Sequence, residues 1–158
     1  MSEPNTPTAD PISNRIARIT AGNDPQFLHR FESGYAILAN QQPPELRGGC
    51  MLLPDPVPAS LEEMERDART QFLADFAVLG EAVKHATGAE RINYLVLCNQ
   101  VPWLHAHAVP RFASEDETLR LKDPFEAYDF GAAPKADATG PDRELHASIR
   151  DAIRSLVG

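Results

Sequence analysis

Apolar side chains recur at steps of three and four between residues 60 and 87, a pattern that predicts one long amphipathic helix. Ser60 and Glu63 fit a capping box at its start, and Gly88 is suited to end it. The apolar positions are Leu61, Met64, Ala68, Phe72, Phe76, Leu79 and Val83. Such a face is expected to pack against a sheet.

Short β-rich runs, each bounded by polar or glycine-containing turns, predict four strands. These runs are residues 35–39, 50–53, 93–97 and 103–109. Asp24 and Pro25 carry the cap and first-turn signals of a short helix, which Gly34 would end. Residues 141–157 predict a final helix with an apolar side. The mixture of elements indicates an α+β protein.

The remaining segments are polar and contain proline. Residues 1–13 are expected to form a flexible N-terminal tail, and residues 113–140 a long surface loop, either a lid or a mobile segment. A chain of 158 residues is long enough for one core. We therefore predict a single domain over residues 14–158.

Composition and charge narrow the classes of protein further. The formal net charge of −8 argues against general nucleic-acid binding, which usually shows a basic footprint. No apolar run is long enough to cross a membrane. Cys50 and Cys98 form no metal or disulfide pattern, which favours a reducing setting. We expect a cytoplasmic protein without nucleic-acid or membrane partners.

The most informative stretch is the last predicted strand, because it carries two histidines with one residue between them. Side chains alternate along a strand, so His105 and His107 point to the same face. Leu104, Ala106 and Ala108 point the other way, where small apolar side chains suit packing under a helix. Two imidazoles on the free face of a strand suggest a site.

Imidazole chemistry offers several functions for this pair. A neutral ring is nucleophilic near pH 7, so His105 could attack phosphorus while His107 donates to a phosphate oxygen or to the leaving group. Asn93, Asn99 and Gln100 add neutral donors nearby. A non-catalytic binding site, a metal site and two structural histidines remain alternatives. For metal, the further ligands lack diagnostic spacing.

The stretch from Trp103 to Arg111, WLHAHAVPR, resembles the His-x-His-x-His-x-x motif of the histidine-triad family, which is often followed by Pro-Arg. In this frame His105 and His107 are the middle and third histidines, and Trp103 stands in the place of the first. The preceding Asn-x-x-x-Leu-x-Asn-x-x-Pro is similar to the diadenosine-polyphosphate-hydrolase-like branch. Cys98 occupies a position where the family usually has glycine.

The resemblance implies a histidine-triad-like fold with a five-stranded antiparallel sheet, one long helix and several short ones, usually as a homodimer. It implies hydrolysis or transfer at the α-phosphate of a nucleoside phosphoramidate, dinucleoside polyphosphate or similar nucleotide conjugate. His105 would be the nucleophile of a nucleotidyl-histidine intermediate, and His107 would contact the phosphate. The alternative is a non-catalytic nucleotide-binding protein on the same fold. The expected partner is a nucleotide-type small molecule, with no cofactor and no metal.

The resemblance also assigns the surrounding residues. Asn93, Asn99 and Gln100 match positions that hold phosphate oxygens, and Asn40 matches one that contacts ribose hydroxyls, where the family commonly has an acidic residue. Trp103 could stack on a bound base. Because its indole can donate but not accept a hydrogen bond, either a backbone carbonyl orients His105 or activity is low.

Overall fold

A five-stranded antiparallel sheet organises the computed structural model, which describes residues 10–158. The strands are β1 (Phe27–Arg30), β2 (Gly34–Leu38), β3 (Cys50–Pro54), β4 (Arg91–Leu95) and β5 (Ala106–Arg111). Across the sheet their order is β1-β2-β3-β5-β4, so β1 and β4 lie at its edges. The helices in this part of the chain are α1 (Pro11–Thr20), α2 (Arg66–Thr87), α3 (Glu117–Arg120), α4 (Pro124–Ala127) and α5 (Arg143–Val157).

Helices α2 and α5 cover one face of the sheet. Phe72 and Leu79 of α2 and Ile149 of α5 are buried in the same apolar cluster as Ala106 and Ala108 of β5. Burying a side chain of the size of leucine or phenylalanine stabilises a fold by roughly 1.5–3 kcal/mol. Because this core buries the face of β5 that carries the alanines, the face that carries the histidine is not covered by α2 and α5.

Helix α1 lies on the opposite face. The Asp10 carboxylate accepts from the Ile12 amide at 2.9 Å and caps the helix, with proline in its first turn. Ile12 and Ile16 pack with Ile37 and Leu53, which point to this face from β2 and β3. Helix α1 therefore forms one wall beside the histidines.

Strand register aligns the middle of the sheet with the second histidine. Ile37 on β2 is opposite Met51 on β3, and Met51 is opposite His107 on β5. Leu95 on β4 is the partner of His107 on its other side. His107 is therefore on the second strand from an edge, flanked by apolar side chains on both sides.

The predicted helix at Asp24 and Pro25 is wrong. The cap signal is real, because the Asp24 carboxylate accepts from the Gln26 amide at 3.0 Å, but only a turn follows it. The next residues form β1, which pairs with β2 and buries Leu28. Tertiary pairing overrides the local helix signal here.

The predicted boundary of the N-terminal tail is also wrong. Residues 1–9 lie outside the described residues, and residues 11–13 already belong to α1. The apolar spacing of Ile12, Ile16 and Ile19 follows a helical period, which is the signal that would have predicted this element.

The long helix begins later than predicted. Residues Leu61–Glu63 form a short 3₁₀ turn, Met64 is extended, and Ser60 makes no capping hydrogen bond from its side chain. Helix α2 then starts at Arg66 and ends as predicted at Gly88, which is left-handed with φ of 72°. The capping box at Ser60 and Glu63 is therefore a correct turn signal with the wrong helix start.

The two strands of the central stretch are displaced from their predicted bounds. Strand β4 starts and ends two residues before the predicted 93–97, and β5 begins at Ala106 rather than at residue 103.

Residues 113–140 contain α3, α4 and the 3₁₀ turn Phe130–Ala132, so this segment has local structure. The predicted α+β fold with a five-stranded antiparallel sheet is confirmed. No helix within residues 10–158 is long and apolar enough to span a membrane.

Candidate active site

His105 and His107 line a cavity of about 1010 Å³ on the α1 side of the sheet. Alternation along β5 directs the His107 ring to this side, and the ring of His105, which directly precedes the strand, lies on the same side. Leu104, Ala106 and Ala108 are fully buried under the helices. The cavity extends from the segment before β5 to the end of β2, and it reaches residues 125–131 on its far side. It is large enough to hold a nucleotide-sized ligand.

A backbone carbonyl orients His105. Its Nδ1 lies 2.7 Å from the Trp103 carbonyl oxygen, which can only accept a hydrogen bond. Nδ1 must therefore carry a proton, and in the neutral ring Nε2 holds the lone pair. His105 is 9% exposed, so the ring has little freedom to turn. This geometry leaves Nε2 as the nucleophilic atom.

Cys98 supports the same histidine from the turn before it. Its thiol donates to the His105 carbonyl oxygen at 3.4 Å, and its sulfur lies 3.7 Å from His105 Nδ1. Cys98 has a φ of 55°, in the left-handed region that suits glycine. Cys98 therefore adopts a conformation that favours glycine while its side chain contacts His105.

His107 is held neutral by its surroundings. Its ring meets the edges of two others, with centroids 5.2 Å from His105 and 5.2 Å from Phe125. Burial, and then repulsion from a charged His105, lower its pKa from 6.5 to about 4. Near pH 7 His107 therefore offers one N–H donor and one acceptor, and no charge.

Asn99, Gln100 and Asn40 also line the cavity. Asn99 and Gln100 are exposed, and neither amide makes a hydrogen bond within the described residues. The side-chain amide oxygen of Asn40 accepts from Arg15 Nη1 at 2.8 Å. The structure thus brings three of the predicted amides to the same cavity as the two histidines.

Asn93 and the indole of Trp103 do not line this cavity. The Asn93 side-chain oxygen accepts from Arg111 Nη1 at 2.9 Å, and Trp103 packs against the apolar cluster beneath α1. The structure therefore does not bring these two predicted contacts to the cavity wall. The part of Trp103 that reaches the site is its backbone carbonyl.

Arg111 is buried and anchors the segment that follows β5. Its guanidinium pairs with Glu115 at 3.0 Å and donates to the carbonyls of Leu119 and Lys122. Tyr128 donates to the same carboxylate at 2.8 Å. These contacts fold residues 112–128 back against the sheet, which places Phe125 on His107. The positive charge of Arg111 is therefore neutralised by an acidic neighbour.

The pKa values of this network follow from its contacts. Burial opposes ionisation of Glu115, but hydrogen bonds from Arg111, the Phe112 amide and Tyr128 outweigh it, so its pKa lies below the ordinary value. Burial and the hydrogen bond to Glu115 raise the pKa of Tyr128 to about 12. The carboxylate stays ionised and the phenol stays protonated near neutral pH.

Three side chains in or behind the cavity wall were not among the predicted site residues, namely Arg15, Phe125 and Glu115. Arg15 reaches the cavity from α1, the unpredicted helix. Phe125 and Glu115 lie in the predicted loop, where an aromatic side chain can be expected to pack on the body, but nothing in the local sequence indicates that Phe125 meets His107. Within residues 10–158, no group of three or more histidine, cysteine or acidic side chains is placed to hold a metal ion.

The comparisons with known proteins concern the fold. No protein-family model matches the chain, and no curated protein sequence matches it significantly. Its structure is similar to that of a histidine triad protein from Bradyrhizobium japonicum, with a TM-score of 0.67 at 16% identity over 87% of this chain and 95% of the other. A histidine triad nucleotide-binding protein from Sulfolobus tokodaii gives 0.67 at 17% identity, over 90% and 93%.

A third structure, the zinc-bound histidine triad family protein from Mycobacterium smegmatis, gives a TM-score of 0.62 at 18% identity, over 88% of this chain and 91% of the other. The likeness covers nearly the whole of each chain. At these identities it establishes the architecture, and the chain therefore has the histidine-triad fold.

Proposed function

We propose that this protein is an atypical member of the histidine-triad family that hydrolyses or transfers a nucleotidyl group. Its substrate would be a nucleoside phosphoramidate, a dinucleoside polyphosphate or a similar nucleotide conjugate. The observation that carries the proposal is the hydrogen bond from His105 Nδ1 to the Trp103 carbonyl. It supplies the orientation and tautomer that a nucleophilic imidazole needs without a histidine at position 103.

In the first step, His105 Nε2 attacks the α-phosphorus and forms a P–N bond. The bond from phosphorus to the leaving group breaks, and the leaving group departs with that electron pair and takes up a proton from solvent. The Nδ1 proton stays on the imidazole, where the Trp103 carbonyl stabilises the positive ring. Water then attacks phosphorus and forms a P–O bond. The P–N bond breaks with its electron pair returning to Nε2, the proton lost by water passes to solvent, and neutral His105 is restored.

The other cavity residues would hold the phosphoryl group. His107 donates its N–H to a phosphate oxygen, and Asn99 and Gln100 add neutral donors from the turn. Donors aimed at the reacting oxygens stabilise charge that develops during attack. Asn93 does not line the cavity, and its side-chain oxygen accepts a hydrogen bond from Arg111. We assign it a positioning role.

A nucleotide panel tests the proposal. Adenosine 5′-phosphoramidate, diadenosine triphosphate and diadenosine tetraphosphate are each measured for turnover by chromatography and for binding by calorimetry. His105→Ala should abolish turnover while the chain stays folded. His105→Asn repeats the test with a side chain closer in size, because position 105 is nearly buried.

His85→Ala is the matched control, since His85 is exposed and lies outside the cavity. It should retain full activity. Binding without turnover in the wild-type chain would favour the non-catalytic nucleotide-binding alternative. Unchanged turnover in a folded His105→Ala variant would exclude the nucleophile assignment.

We further propose that two copies associate through the β4 edge of the sheet. Strand β4 pairs with β5 on one side and lies at the sheet edge on the other. Tyr94 and Leu97, at this edge and just beyond it, are 48% and 53% exposed, which is high for large apolar side chains. Sedimentation should give a dimer, and a monomer at micromolar concentration would remove this proposal.

The two free cysteines support a reducing compartment such as the cytoplasm.

A further inference from the structure

The end of the cavity beside Asn40 is built from hydrogen-bond donors. Arg15 lies in the wall of the cavity and is buried, with an exposed fraction of 8%. Its Nε and Nη2 donate to the two oxygens of Asp24, at 2.5 and 3.3 Å. Its Nη1 donates to Asn40 at 2.8 Å. The guanidinium is therefore fixed by both neighbours.

Arg15 is not saturated by these contacts. A guanidinium has five N–H donors, and three of them are used within the described residues. Each of its two terminal nitrogens retains one N–H. The planar fork of arginine is well matched to the oxygens of phosphate and carboxylate groups.

The contact with Arg15 also decides what Asn40 can offer. Its amide oxygen is already an acceptor for Arg15, so the amide nitrogen is the group left for a ligand. An acidic residue at this position would offer acceptors to ribose hydroxyls. Asn40 held in this way offers donors, which suit an oxygen-rich or anionic group.

Charged side chains of both signs line the cavity, and the positive ones, Arg15 and Arg18, both come from α1. Arg18, one helical turn after Arg15, is exposed at the cavity wall and makes no side-chain ion pair within the described residues. Glu126 and Asp129 line the cavity from the segment after β5. The Asp129 carboxylate accepts from the Ala132 amide at 3.2 Å, which directs one of its oxygens to its own turn.

The donor-rich end is separated from the histidines. Asn40 lies two strands away from His107 and three residues beyond Ile37, which is level with His107 in the sheet. Strand geometry places the two backbones roughly 14 Å apart. Since side chains reach inward from both ends, a nucleoside fits between them.

We propose that the natural ligand is a nucleotide that carries a second phosphate on its ribose, bound by Asn40, Arg15 and Arg18 while its 5′-phosphoryl group lies at His105. This inference rests on the proposed function for the position of the 5′-phosphoryl group. It names a narrower substrate class than that function requires.

The test compares ligands by calorimetry with the full-length chain. Adenosine 3′,5′-bisphosphate and adenosine 2′,5′-bisphosphate are the probes, and AMP lacks the second phosphate. ADP is the matched control, because it carries a second phosphate on the 5′ side. We expect one bisphosphate to bind about ten- to a hundredfold more tightly than both AMP and ADP. The comparison of the two bisphosphates identifies the ribose position.

Two variants localise the effect. Asn40→Asp keeps an acceptor for Arg15 but removes the free donor and adds negative charge, so the preference should be lost. Arg18→Gln changes an exposed side chain and should weaken the preference about threefold or more. Arg15 itself is left unchanged, because its loss would leave the buried Asp24 carboxylate without its counter-charge.

Turnover of adenosine 5′-phosphoramidate is measured in parallel to separate the two proposals. Turnover with equal binding of AMP, ADP and both bisphosphates would overturn this inference alone. The same holds if Asn40→Asp keeps the preference. If no nucleotide is bound or turned over, the proposed function fails, and this inference fails with it.

Discussion

Lowering the pH should destabilise the protein through His107. Its pKa in the folded chain is about 4, while the same side chain in the unfolded chain has the ordinary value of 6.5. Between these values the unfolded chain binds a proton that the folded chain does not. The stabilising contribution of the neutral ring is therefore complete above pH 6.5 and is lost as the pH falls towards 4.

The magnitude follows from the size of the shift. A difference of one pKa unit corresponds to about 1.4 kcal/mol, so a shift from 6.5 to about 4 gives at most about 3 kcal/mol at pH 4. At pH 5.5 the loss should be about 1.4 kcal/mol. Between pH 7 and 8 the contribution of His107 should not change.

Urea unfolding of the wild-type chain and of His107→Gln, at pH 7.5, 6.5, 5.5 and 4.5, measures this effect. Carboxylates also titrate in this range, so the informative quantity is the difference in free energy of unfolding between the two proteins. That difference should shrink as the pH falls. A difference that stays constant within about 0.5 kcal/mol from pH 7.5 to 4.5 would refute the assignment of a neutral, partly buried His107.

Phe125 provides an independent check, because its ring covers His107 at a centroid distance of 5.2 Å. Phe125→Ala should hydrate the imidazole and raise its pKa towards 6.5. The pH dependence of stability should then become flatter. NMR titration of the His107 ring protons in both proteins reports the pKa directly.

Three further predictions concern the supporting structure. Glu115→Gln should lower the free energy of unfolding by about 3 kcal/mol, because Arg111 is left buried without its counter-charge. Tyr128→Phe, which removes one hydrogen bond to the same carboxylate, should lower it by about 1.5 kcal/mol. Equal losses in urea unfolding would contradict this network of contacts. Gly34→Ala should lower the free energy of unfolding by about 1–3 kcal/mol, because the added Cβ would lie 2.0 Å from a backbone oxygen of β3. Gly49→Ala is the control in thermal unfolding, since a Cβ added there has no neighbour within 4 Å. Trp103→Phe should lower kcat/KM by less than about tenfold, because the orienting group is a backbone carbonyl; a loss of a thousandfold in steady-state assays would assign the role to the indole.

Four of the five strands and the histidine pair could be predicted because they depend on short local patterns, whereas the five-stranded antiparallel sheet was implied by the resemblance. His105 and His107 alternate with small apolar residues, and the predicted orientation of the rings follows from that alternation. Helix α2 could be predicted because its apolar residues, among them Phe72, Phe76 and Leu79, recur at helical steps. These features are local in the chain, so they can be read without the tertiary structure.

The helix and strand near the N-terminus show where local signals are insufficient. Asp10-Pro11 and Asp24-Pro25 carry the same start signal, yet the first opens a helix and the second only a turn. The difference lies in the partner: residues 27–30 complete a sheet edge beside β2. Pairing across the sheet is a non-local property and was not predicted from the sequence.

The donor-rich end of the cavity depends on contacts between distant parts of the chain. Arg15 and Asn40 are 25 positions apart, and the segment carrying Phe125 reaches His107 through a buried pair at Arg111 and Glu115. Neither contact leaves a periodic trace in the sequence. The position of Asn40 was predicted from a resemblance, but the direction of its amide required the structure.

The covalent bond between His105 and phosphorus can be measured directly on the protein. The P–N bond of a histidine phosphoramidate is hydrolysed in acid, so peptide mapping must avoid acidic conditions. The protein is mixed with labelled adenosine 5′-phosphoramidate and denatured rapidly at alkaline pH. It is then digested at alkaline pH for mass spectrometry. We expect a transient adenylyl group on the peptide containing His105, absent from His105→Asn and unchanged in His85→Ala. Catalytic turnover with no adenylyl group on that peptide at any time point, or with the group on another residue, would contradict it.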